Sequence, residues 1–100
     1  MHDLIIIGGG PAGTAAGVYA SRKQLNTLFV TKEWGGQSTV SPDIQNWIGT
    51  PSIPGDKLAQ DLENHLRTYA GDFVTIKDNT LVSKIEQKDG GFLVSFEGGD

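Results

Sequence analysis

The residues of this chain best placed to do chemistry are glycines. Gly8, Gly10 and Gly13 stand in the pattern Gly-x-Gly-x-x-Gly, with Pro11 and Ala12 between the last two. The first glycine permits a tight turn, the second lets backbone approach a pyrophosphate, and the third lets a helix pack closely on a strand. Pro11 suits a first helical turn, where its missing N–H would have no partner anyway. A helix starting there turns N–H groups and partial positive charge toward phosphate oxygens. Taken alone, such a turn also joins a strand to a helix without binding anything, so its flanks decide its meaning. Further along, Gly35-Gly36 precedes Gln37, and Asn46 follows in the same irregular stretch. Each side-chain amide presents both a donor and an acceptor. The same residues also serve as a tight turn and a loop-stabilising amide.

Other chemistries have little to work with. The chain has no Cys, which excludes a disulfide framework, a cysteine-ligated metal or cluster and a thiol nucleophile within these residues. His2 and His65 lie far apart and match no metal-ligand spacing, and His65 reads as a surface residue of a helix. No catalytic residue and no metal site are expected here.

The elements around the glycine turn fit it. Leu4 to Ile7 is a short, β-branched apolar run that reads as a strand buried on both faces. Thr14 to Gln24 is Ala-rich and helical, and Thr27 to Val30 is a second strand. Strand, glycine turn, helix and strand within about 30 residues make a βαβ unit. The ribose partner of a dinucleotide belongs at the end of the second strand, usually as an acid about 20 residues beyond the turn. Thr31 occupies that place and Glu33 comes slightly late, so ribose recognition is left open between them.

Gly35 to Gly55 reads as a long, ordered loop pinned by Trp34, Ile44, Trp47, Ile48 and Ile53. Asp56 to Tyr69 places Leu58, Leu62, Leu66 and Tyr69 at helical spacing, with Asp61, Glu63 and Arg67 off the stripe. Trp34, Trp47 and Tyr19 are expected to pack. Phe73 to Ile76, Leu81 to Ile85 and Phe92 to Phe96 read as strands, the last two forming a hairpin around Lys88-Asp89-Gly90-Gly91. The fold class is α/β: a Rossmann-like parallel sheet with flanking helices plus a β-hairpin.

The 100 residues amount to one small domain at most. A net charge of −4 without a basic cluster disfavours nucleic acid. No apolar run approaches the roughly 18 to 20 residues that span a bilayer, and the start lacks the marks of a signal peptide. No membrane partner is therefore expected, and a cytoplasmic location is. In a doubly wound sheet the first strand has neighbours on both sides. Nothing after Phe96 supplies the second neighbour, so residues 1–100 read as the N-terminal part of a longer protein.

Gly8 to Gly13, then Gly35-Gly36-Gln37, then Asp43-Ile44-Gln45-Asn46-Trp47, resemble the thioredoxin reductase family and the related flavoprotein subunit of alkyl hydroperoxide reductase. Ile53 to Leu66 is similar to the helix that follows in that family. The chain departs from the family pattern at Ser38, at Gln45, where Glu is usual, and at Trp47-Ile48-Gly49. The resemblance implies an FAD-binding domain, with Gly8, Gly10, Pro11, Ala12 and Gly13 around the pyrophosphate and Thr31 by the adenosine ribose. It implies Gly35, Gly36 and Gln37 near the ribityl chain and flavin, Asn46 on the cofactor, and Val82 touching adenine through its backbone.

It further implies an oxidoreductase that passes electrons from NAD(P)H through FAD to a disulfide. The NAD(P)H domain and the rest of the flavin domain would follow residue 100. The expected partner is a thioredoxin-like or peroxiredoxin-type protein, and the full-length protein is expected to be a homodimer. The alternatives are a ferredoxin- or flavodoxin-NADP reductase type of flavoenzyme, and a non-catalytic FAD-binding module if the chain ends at Asp100.

Overall fold

The computed structural model describes residues 1–36 and 40–97. Its elements are β1 (Leu4–Gly9), α1 (Pro11–Arg22), β2 (Thr27–Trp34), α2 (Gly55–Ala70), β3 (Val74–Lys77), β4 (Val82–Lys88) and β5 (Gly91–Phe96). The first three strands form a parallel sheet in the order β1-β2-β3, and β4 and β5 form a separate antiparallel pair. The α/β class, the parallel sheet and the hairpin are those the sequence indicates.

One face of the sheet carries the core. Ile6, Phe29 and Val74, one from each strand, pack against Ala20 of α1 and against Leu66 and Ala70 of α2. The two helices approach closely because a Cβ on Gly17 would sit 2.7 Å from the Leu66 side chain. Leu58, Leu62 and Leu66 are buried as their spacing requires, but Tyr69 is half exposed and Ala59 and Ala70 complete the buried stripe. The Tyr69 ring lies instead beside that of His65, with centroids 5.4 Å apart.

Strand β1 corrects a second expectation. It is buried on one face only, with Ile7 46% exposed. It lies at the edge of the three-stranded sheet, and both helices sit on the Ile6 side. On the other face Ile5 and Ile7 line a cleft of about 660 Å³ with Ile85, Phe92 and Val94 of the hairpin. The hairpin turns at Asp89 and Gly90, both with positive φ (48° and 79°), the backbone of a tight turn matched to strand twist.

The loop before α2 is held by two bridges, Ile44 with Ile53 and Trp47 with Thr50. Ile53 is buried against Leu58 and Leu62, with Ile44 packed beside them. Of the residues expected to pin this loop, Ile44 and Ile53 do so. Ile48 is almost fully exposed, Trp47 is only partly covered, and Trp34 stacks on Phe29 instead. Tyr19, expected to pack, is exposed on α1. Ile48 and Gly49 form the turn closed by the Trp47–Thr50 bridge, and the Ile48 side chain is left in solvent there.

Candidate nucleotide site

The carboxyl ends of β1 and β2 converge on a cavity of about 300 Å³. Its floor is Ile7 to Gly10, one wall is Val30 to Glu33 with Gly36, and the other wall is Thr80, Leu81 and Val82. This is where open α/β sheets place ligands, beyond the strand ends. Five of the residues singled out in the sequence, Gly8, Gly10, Thr31, Gly36 and Val82, line one space.

The turn is shaped as its glycines require. Gly8 has φ +109°, a region that side-chain-bearing residues rarely enter. A Cβ on Gly13 would fall 1.8 Å from the Gly8 carbonyl oxygen, so the first helical turn folds directly onto the strand end. Helix α1 begins at Pro11, earlier than the Ala-rich run indicates, because proline is preset for the first helical position. Gly10 is its N-cap and supplies no side-chain hydrogen bond, and no acid lies in the first turn. The first helical bond runs from Thr14 N–H to the Gly10 carbonyl. The N–H groups of Ala12 and Gly13 therefore lie in the uncapped first turn, with the helix dipole behind them.

The second glycine motif meets the first. A Cβ on Gly36 would lie 3.4 Å from Gly10 Cα, and Gly36 has φ +54°. Gly35 N–H donates to the Gly9 carbonyl at 2.8 Å, which anchors the pair to the strand end. Gly9 itself is a residue the motif reading passed over. A Cβ there would lie 2.7 Å from Thr31 Oγ1 and 2.9 Å from the Glu33 carbonyl oxygen. Only a comparison of both strands in register reveals this constraint, because it arises between β1 and β2.

Thr31 is 3% exposed, and its hydroxyl donates to the Glu33 carbonyl at 2.5 Å. Its own carbonyl accepts from Thr80 N–H at 3.0 Å. Thr31 thus ties the end of β2 to the segment before β4, with its hydroxyl proton committed inside the protein. Lys32 and Glu33, both exposed, line the cavity beside it. Asn46 is exposed on the loop between the two bridges and is not among the residues lining the cavity. Gln37 lies outside the described residues. Pro11 is found instead on the neighbouring cleft between α1 and α2, which it shares with Trp47, Tyr69 and His65. His65 is exposed, as expected.

Among the described residues no group of His, Asp or Glu is arranged to hold a metal ion. No helix of the described residues is long and apolar enough to cross a membrane.

The family model described as FAD dependent oxidoreductase matches residues 3–91. An alkyl hydroperoxide reductase subunit of Pseudomonas aeruginosa is 37% identical over 99 residues, which is 97% of this chain and 19% of that protein. Thioredoxin reductase of Ureaplasma parvum is 48% identical over 60 residues, 59% of this chain and 19% of that protein. Among solved structures, Lactococcus lactis thioredoxin reductase superposes with a TM-score of 0.88 at 28% identity, covering 98% of this chain and 31% of that one. The chain thus spans about a fifth of the curated relatives and about a third of the solved structure.

Proposed function

We propose, for a chain that belongs to the FAD dependent oxidoreductase family, that the cavity at the ends of β1 and β2 holds the adenosine and pyrophosphate portion of FAD. The observation that carries this reading is the approach of Gly36 to Gly10 above an uncapped helix start. Side chains on those glycines would occupy the cradle, and the N–H groups of the first turn suit phosphate oxygens. Pro11, Ala12 and Gly13 contribute through the helix start, and Val82 contributes from the opposite wall.

Thr31 supports the site by fixing its walls to each other. Glu33, on the same wall, is the better partner for the ribose hydroxyls, since the Thr31 hydroxyl proton is already donated. Gln37 and Asn46 are assigned to the flavin end by their place in the Gly-Gly-Gln and Asn-Trp segments. Within this chain the residues bind and orient, and none is given a role as acid, base or nucleophile. Bound there, FAD would supply the electron-carrying chemistry between NAD(P)H and a disulfide of a thioredoxin-like or peroxiredoxin-type protein. The relatives' names support that partner class.

The test uses the native polypeptide loaded with FAD. NADH or NADPH is added and the flavin absorbance is followed, and a disulfide protein is then supplied. Bleaching followed by recovery on addition of the disulfide supports the reading. Bleaching with no recovery by any disulfide protein transfers the function to the ferredoxin-reductase type.

A further inference from the structure

We infer that Arg67 is a positioning residue for the nucleotide cavity, clamping together its two walls from outside. The inference rests on the FAD reading above. Arg67 lies on α2 and contacts Trp34 and Asp78, residues that adjoin the two walls in sequence. Its guanidinium sits over the Trp34 ring, with Cζ 5.3 Å from the centroid. Its terminal nitrogen donates to Asp78 at 2.8 Å, and its Nε donates to Glu63 at 2.8 Å.

Trp34 and Asp78 are the two handles. Trp34 joins Glu33 to Gly35-Gly36, and its ring is stacked on fully buried Phe29 at 5.3 Å with planes 16° apart. Asp78 leads into the opposite wall, where the Thr80 hydroxyl donates back to the Asp78 carbonyl at 2.9 Å. Thr80 N–H in turn reaches the Thr31 carbonyl. One planar, delocalised cation thus stacks on one wall's anchor and ion-pairs with the other's, a combination that lysine cannot reproduce. Glu63 lies one turn earlier on the same helix, so its bond orients the guanidinium without linking it to either wall. The pairing with Glu63, more than that with Asp78, raises the guanidinium's pKa above its ordinary value.

The ion pairs are partly exposed, with the Arg67 side chain at 43% and Asp78 at 40%. A change of a few-fold is therefore the expected scale for each. The experiment titrates FAD into the flavin-free native polypeptide and compares wild type with Arg67→Met, Arg67→Lys, Asp78→Ala and Glu63→Ala, with the unfolding midpoint recorded for each.

Arg67→Met and Asp78→Ala are expected to raise the dissociation constant about fivefold. Arg67→Lys should fall between them and wild type, and Glu63→Ala should stay within about twofold of it. An effect of Glu63→Ala as large as that of Asp78→Ala overturns the inference, since the clamp would then matter only through the stability of α2. Unchanged affinity in both Arg67→Met and Asp78→Ala overturns it as well. Wild type that binds no FAD overturns the reading beneath it and this inference together.

Discussion

Gly36 stands against Gly10, with a Cβ on the former reaching to 3.4 Å from the Cα of the latter. Two glycine motifs widely separated in the chain therefore form one surface. Gly36 also has φ +54°, where an L side chain costs about 1–2 kcal/mol. Gly36→Val is expected to weaken FAD binding about tenfold or more, read by flavin fluorescence titration. Unchanged affinity would remove this surface from the site.

Gly13 carries the tightest contact of the turn, 1.8 Å from a built Cβ to the Gly8 carbonyl oxygen. Backbone on both sides leaves no flexible side chain to give way. Gly13→Ala should lower stability by about 3 kcal/mol, at the upper end of overpacking costs. Chemical unfolding of wild type and variant at equal salt measures it, and a difference below about 0.5 kcal/mol would show that the helix start can shift freely.

Thr31 and Glu33 separate by what each variant perturbs. Thr31→Val leaves the Glu33 carbonyl without its donor in a part-buried setting, which costs about 1–3 kcal/mol of stability. Glu33→Gln should leave stability nearly unchanged and weaken FAD binding about tenfold, the scale of a charged hydrogen bond. The reverse pattern, with Thr31→Val lowering affinity and Glu33→Gln silent, returns the ribose to Thr31.

The loop before α2 should loosen in acid. Hydrogen bonds from Ser52 and, at 2.8 Å, from Gln45 hold the Asp43 carboxyl below its ordinary 3.8. A carboxylate with a depressed folded pKa contributes stability above its unfolded pKa, and loses it as the pH falls through the folded value. The Asp43 carboxyl resonance followed by NMR should therefore titrate with a midpoint below 3.8. Ser52→Ala should move that midpoint upward, and a midpoint that does not move would show that the hydroxyl contributes nothing.

Much of this architecture is written in local chemistry. The Gly-Pro-Ala-Gly turn, the Leu58-Leu62-Leu66 stripe and the Asp89-Gly90 hairpin each follow from side-chain size, period or φ preference. Features set between elements are less legible. Whether β1 is covered on both faces depends on where the helices and hairpin fall, and Ile7 has the same sequence signature either way. Gly9 and Gly17 are constrained by β2 and α2, which no local window contains. Thr31 is legible as a residue at the right place, but the direction of its hydroxyl depends on how β2 ends. Arg67 reads as a solvated helix charge until Trp34 and Asp78 are brought beside it.

The central claim is that the glycine turn and the wall beside it hold FAD. Its most direct test is equilibrium titration of flavin-free native polypeptide with FAD, alongside Gly36→Val and Glu33→Gln. The account predicts one FAD per chain, bound more weakly in both variants. No FAD uptake by wild type, or uptake that neither substitution weakens, would contradict it.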